Sequence, residues 1–154
     1  MTRNKIILIA CAGLLPALVT PTMAFATCPP LASKVVTADT SISTTSGPFV
    51  TVANTTIQFV QGGKKASCVM VSFSADASAG TNEFMAIQAQ LDGAIVCKPG
   101  ALYFVASGVT GARAMNFFCG GVAPGSHSIS MQYSSQNGGA VYLSRRTTIV
   151  QYVP

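Results

Sequence analysis

The chain has 154 residues, with 9 Lys and Arg against 4 Asp and Glu, one His, five Cys and no Trp, and a formal net charge of +5. Its basic residues are scattered singly apart from Lys64-Lys65 and Arg145-Arg146, so it lacks the clustered basic face that nucleic-acid binding requires. Acids, bases and nucleophiles are equally sparse, which counts against catalysis, and no cofactor-binding motif is present.

Residues 1–26 read as a secretory signal peptide. Arg3 and Lys5 precede an apolar run over 6–19, and Ala24-Phe25-Ala26 places small residues at the two positions a signal peptidase inspects. The run contains Pro16 and falls short of the roughly 20 residues of a spanning helix, so a membrane anchor is the weaker reading. Lipid attachment at Cys11 is likewise disfavoured, because the apolar run continues past it. Residues 27–154 then form a single exported domain, secreted or periplasmic in a bacterial host.

Within that domain β-rich runs alternate with Gly, Pro, Asn or Asp. Strands are expected over 34–38, over 49–60 with a break at Ala53-Asn54, and over 66–75 after the turn Gly62-Gly63-Lys64-Lys65. Residues 83–91 set Met85, Ile87, Ala89 and Leu91 on one face, and Asp92-Gly93, a strong turn dipeptide, closes them. Short runs follow over 94–97 and 102–106, then 112–119. Residues 126–134 show the clearest pattern: Ser126, Ser128, Ser130, Gln132 and Ser134 alternate with His127, Ile129, Met131 and Tyr133. That is period two, a strand with one wet and one buried face. Asn137-Gly138-Gly139 then turns the chain into a last run over 140–153, which makes a hairpin.

Eight to ten such strands predict an all-β fold, an antiparallel β-sandwich. Strand number and length favour a jelly-roll-like form over an immunoglobulin-like one, which would also carry a core Trp. Cys28, Cys68, Cys97 and Cys119 remain after the leader. An even number without any Cys-x-x-Cys points to two disulfides rather than a metal site. Of the three connectivities, Cys28 with Cys68 and Cys97 with Cys119 would each pin neighbouring segments.

The stretches Val71-Ser72-Phe73-Ser74-Ala75, Leu91-Asp92-Gly93, Pro124-Gly125-Ser126-His127-Ser128-Ile129 and Arg146-Thr147-Thr148-Ile149-Val150 resemble those of small, uncharacterised secreted bacterial β-sandwich proteins. The resemblance spans most of the chain after the leader. It implies a fold and export, and brings no activity and no site with it.

His127 is the single histidine. Its neighbours Ser126 and Ser128 point to the opposite strand face, which rules out a nucleophile–base pair with either; a bond from its imidazole to a backbone carbonyl is expected instead. Of the acids, Asp92 belongs to a turn, Asp39 and Asp76 lie at strand ends and Glu83 opens a strand, so no paired carboxylates for glycoside hydrolysis stand out. There is no Asp-x-Asp spacing for Ca²⁺ and no metal site is expected. Asn54-Thr55-Thr56 fits a glycosylation sequon that a bacterial chain leaves unused. Tyr133 falls on a buried parity, whereas Tyr142 and Tyr152 are placed to face outward. Tyr142, Arg145 and Arg146 are the candidate binding residues, two basic side chains beside a ring.

The chain is thus expected to be an exported, non-catalytic interaction module for another protein or a cell-surface polymer. The alternative is a structural subunit of a surface layer or appendage assembling through sheet edges. A hydrolase with a minimal site is the third reading and is disfavoured.

Overall fold

The computed structural model describes residues 32–154; the leader and Cys28 lie outside the described residues. Eleven strands form among the described residues: β1 (Ala32–Ala38), β2 (Ile42–Thr44), β3 (Val50–Thr51), β4 (Ile57–Gln61), β5 (Ser67–Ala79), β6 (Met85–Leu91), β7 (Ile95–Val96), β8 (Leu102–Val105), β9 (Thr110–Val122), β10 (Gly125–Ser135) and β11 (Val141–Tyr152). They make two antiparallel sheets. The first runs β1-β11-β5-β9 with β2 also on β11, and the second runs β3-β10-β6-β7 with β4 also on β10 and β8 on β6.

Three of the flanking positions are each filled by one strand broken in two. β1 takes residues 146–152 of β11 and β2 takes 141–143, while β5 fills the other side. β4 and β3 divide one side of β10 in the same way, and β7 and β8 divide one side of β6. Each sheet is therefore four positions wide, and the eleven segments collapse onto the eight positions of a jelly roll. The expected break at Ala53-Asn54 is present, with Asn54 at φ 57°. β2 escapes the sequence pattern because three residues among Ser and Thr carry no alternation to read.

Alternation then builds the core. Val69, Val71, Phe73, Ala75 and Ala77 point inward from β5, and Ile129, Met131 and Tyr133 do so from β10; all are buried. Met85, Ile87, Ala89 and Leu91 of β6 and Val141, Leu143 and Val150 of β11 complete the two inner faces. Burying each large apolar side chain contributes roughly 1.5–3 kcal/mol. β5 extends past the expected end at residue 75 because Ala77 and Ala79 continue its buried parity with side chains too small to register as strand formers.

The Asp92-Gly93 turn forms as expected. Both residues have positive φ, 53° and 69°, and Ala94 N–H donates to Leu91 O across the two-residue loop at 3.2 Å. Such a turn matches the right-handed twist of its strands. Beyond it, Cys97 N–H donates to Ala89 O of the second sheet at 3.0 Å, while its sulfur is bonded to Cys119 on β9 of the first. The disulfide thus ties the sheets together along one side. Lys98 and Phe118 add a reciprocal pair of backbone hydrogen bonds at 2.8 Å each. Cys68 is also disulfide-bonded.

The Cys97–Cys119 bridge spans 22 residues of sequence, and closing a loop of that length stabilises a fold by roughly 3 kcal/mol on the loop-entropy account. A Cys97→Ala/Cys119→Ala double variant, which leaves no stray thiol, is expected to unfold at lower denaturant concentration by about that free energy. Urea titration followed by far-ultraviolet circular dichroism measures it, and an unchanged midpoint would refute the assignment.

Candidate functional site

The outward face of the second sheet is the polar face that the alternation of β10 predicts. Ser126, Ser128, Ser130 and Gln132 stand at least partly open on the side opposite the buried Ile129, Met131 and Tyr133, whereas Ser134, expected on the same wet face, is fully buried. Register places Gln132 beside Gln88 and Ser130 beside Gln90 of β6, with Ser126 beside Val60 and Ser128 beside Gln58 of β4. The glutamines are joined into a ladder. Gln88 Nε2 donates to Gln132 Oε1 at 2.7 Å, and Gln132 Nε2 donates to Gln90 Oε1 at 2.7 Å. Each amide fixes the next, so the amide of Gln90 is left as an oriented open end, while Gln88 at the other end is largely buried.

Tyr103 of β8 pairs with Ala86 of β6 and is 67% exposed, its ring 5.7 Å from that of Phe84. A cavity of about 220 Å³ lies there, lined by Phe49, Ala86, Tyr103 and Gln136 among others. At the other end of β10 is a larger cleft of about 420 Å³, lined by Ser126, Ser128, Gln58, Val60, Asp92 and His127, with Phe59 behind and Lys34 from β1 of the first sheet. Lys34 Nζ donates to Gln58 O at 2.8 Å.

His127 makes the carbonyl contact expected of it, with Nε2 2.8 Å from Ala123 O, and a second that residue spacing does not suggest, with Nδ1 2.7 Å from Asp92 Oδ2. Both ring nitrogens face acceptors, which an imidazolium satisfies and a neutral ring does not. The bond to Asp92 raises the His127 pKa above 6.5, burial opposing and the Ala123 carbonyl assisting. Partial burial pushes Asp92 up, but the bonds from His127 and from Ser128 N–H outweigh it and hold the carboxyl below 3.8. With both nitrogens engaged, His127 is no free general base. The pairing joins a turn to a strand 35 positions away, a separation at which no local pattern operates.

Glu83 is the other acid fully occupied by the fold. Its Oε1 accepts from the N–H groups of Phe84, Gln136 and Asn137 and its Oε2 from that of Gly139, at 2.6–3.0 Å. A side chain at Gly139 would collide with that carboxylate, since a Cβ there would lie 2.8 Å from Oε2. The Asn137 N–H foremost, with those of Gly139 and Phe84, lowers the Glu83 pKa to about 2 against the opposing effect of burial.

The sequence-derived binding residues do not converge. Tyr142 and Arg145 are exposed on the first sheet, and Arg145 pairs with Asp76. Arg146 is only 1% exposed, so its expected place beside Tyr142 at the surface is corrected. Its Nε donates to Ala53 O at 2.9 Å and its Nη1 to Thr40 O at 2.5 Å; burial lowers its pKa, with Tyr133 opposing. The cause is a bulge. Between Ser144 and Thr147 the register with β5 slips, and Arg145 adopts φ 41°. Two residues there oppose one, which turns Arg145 outward and Arg146 inward. Tyr152 is also buried rather than outward, packed on Phe59 at 5.1 Å. Among the described residues no three His, Cys, Asp or Glu side chains gather as a metal site, and no helix is long and apolar enough to cross a membrane.

No protein-family model matches the chain, and no curated protein matches it. Its fold is that of jelly-roll β-sandwiches among solved structures. The VP2 subviral particle of infectious bursal disease virus matches with a TM-score of 0.52 at 11% identity, over 90% of this chain and 37% of that one. That likeness is one of fold alone, and this chain spans little more than a third of the capsid protein's length. The sugar-binding C-terminal domain of EclA matches at TM-score 0.40 and 10% identity, over 72% of this chain and 78% of that one. The C-terminal CBM6 of LamC, a marine laminarinase from Zobellia galactanivorans, matches at 0.42 and 10%, over 77% and 99%.

The Glu83 clamp has a defined pH signature. Because its folded-state pKa of about 2 lies below the ordinary 4.5, the carboxylate stabilises the fold fully above pH 4.5, and that contribution disappears as pH falls from there through about 2. Glu83→Gln is expected to melt at lower temperature at pH 6 and to lose less than the parent protein between pH 4.5 and 2. Thermal melts across that range read both effects, and parallel curves for the two proteins would rule the clamp out.

Proposed function

We propose that the chain is an exported, non-catalytic binding module for a cell-surface polysaccharide, engaged by the outward face of the second sheet. The observation that carries this reading is the Gln88–Gln132–Gln90 ladder. Amides locked by one another present donors and acceptors at fixed angles with little rotamer entropy left to lose, an arrangement suited to the hydroxyls of a sugar chain. The serine row of β10 extends it, and the exposed ring of Tyr103 offers an apolar edge for a sugar face to cover.

The non-catalytic part rests on how the titratable groups are used. His127 and Asp92 hold each other, Glu83 is spent on the hairpin loop, and Asp76 on Arg145. The Cys97–Cys119 bridge supports an oxidising, exported setting.

Affinity electrophoresis through gels containing a panel of soluble polysaccharides tests the reading. Retardation by at least one of them is expected, weakened about fivefold by Gln132→Ala and by Tyr103→Ala, the equivalent of ~1 kcal/mol per lost contact. Migration unaffected by every polysaccharide, or variants retarded like the parent, would count against it.

A second reading, a structural subunit joined through sheet edges, is favoured by β9. It is the terminal strand of the first sheet, 13 residues long, and carries Arg113 as its single charge. Among the described residues only Lys98 pairs with its outer side, and a long edge with little charge is a template for strand addition. Light scattering on the oxidised protein at rising concentration distinguishes the two: growth beyond the monomer supports assembly, and a constant monomer mass excludes it as a property of the chain alone.

A further inference from the structure

Beyond the ladder, at the far end of β10, we propose that the 420 Å³ cleft between Lys34 and Asp92 is a subsite for an anionic sugar, one bearing a carboxylate or a sulfate. The inference rests on the polysaccharide reading and names the class of residue that this end of the face accepts.

Charge decides the class. Three charged side chains line the cleft, Lys34, Asp92 and His127. His127 and Asp92 sit 2.7 Å apart and neutralise each other as an imidazolium–carboxylate pair. The remaining Asp92 oxygen is taken by the Ser128 N–H at 2.8 Å. Lys34 is thus left as the uncompensated charge. Its ammonium is steadied by one bond to Gln58 O, and two of its three hydrogens remain to donate.

Shape and chemistry agree with a sugar rather than a bare ion. The volume falls in the range of roughly 300–1,000 Å³ typical of small-molecule sites. Ser126 and Ser128 bring hydroxyls from the polar face of β10, and Val60, 61% exposed, brings an apolar surface beside them. A ligand with hydroxyls, an apolar ring face and one negative group uses all three. Lys34 comes from β1 of the first sheet while the hydroxyls come from β10 of the second, so the subsite exists only once the sandwich has closed.

The test is a nuclear magnetic resonance titration of the full exported domain, following the backbone amides of Val60, Ser126 and Ser128. Galacturonate, galactose 6-sulfate and galactose are the probes, the first two separating a carboxylate from a sulfate preference. Saturable shifts with either anionic sugar and none with galactose are expected, together with a loss of about tenfold in affinity in Lys34→Gln, as one charge-assisted bond would give. Arg113→Gln, on the opposite edge of the first sheet, should bind like the parent. Equal shifts from galactose, no shifts at all, or a Lys34→Gln variant that retains the anion preference would overturn the inference. If monosaccharides bind here while no polysaccharide retards the protein, the subsite stands and the polymer reading falls. If a polysaccharide retards the protein while the cleft amides stay unshifted, the polymer reading stands and the subsite falls.

Discussion

Strict alternation of side chains on two facing sheets is the constraint to which every other feature answers. On β10 it sends Ile129, Met131 and Tyr133 into the core and Ser128, Ser130 and Gln132 to water, and a slip of one residue would exchange the two sets. β11 must satisfy the same constraint with a sequence whose parity changes partway. Val141 and Leu143 are inward at one end and Thr148, Val150 and Tyr152 at the other, an odd separation that no regular strand accommodates. The extra residue at Arg145 and Arg146 absorbs the mismatch. A buried guanidinium results, acceptable because backbone carbonyls at Ala53 and Thr40 receive its hydrogens.

Glu83, Asp92 and His127 are consumed by the same architecture. Glu83 gathers the amides of the β10–β11 loop, and Asp92 joins a tight turn to the start of β10 through His127. Each replaces a missing backbone partner at a place where the ladders end. Such groups are unavailable for proton transfer, which separates a strongly shifted carboxylate from a catalytic one. The groups left unengaged on the outward face of the second sheet are then mostly neutral amides and hydroxyls, with the Lys34 ammonium at one end.

How much is legible in the sequence follows from range. Period two is local, so the strands, their inward faces, the Asp92-Gly93 turn and the wet face of β10 as far as Gln132 can all be read from consecutive residues; the burial of Ser134 breaks the pattern. The Cys97–Cys119 bridge is legible for a related reason, because its two ends are near in sequence. The surface position expected for Arg146 fails because a bulge depends on register with β5, a property of two strands at once; the signal present is the parity change between Leu143 and Thr148. The glutamine ladder joins positions 44 and 42 apart, and the cleft needs Lys34 from the other sheet. Neither is accessible without knowing which strands are neighbours, and the jelly-roll order decides that.

The reciprocal bond between Lys98 and Phe118 also bears on the exposed margin of the first sheet. It covers part of the open side of β9, and the neighbouring disulfide holds the covering segment there. In a reduced chain that segment is held by hydrogen bonds alone, and more of a long, weakly charged edge is available to any other extended polypeptide. The disulfide is thus a lock on the cover of that margin as well as a tie between the two sheets.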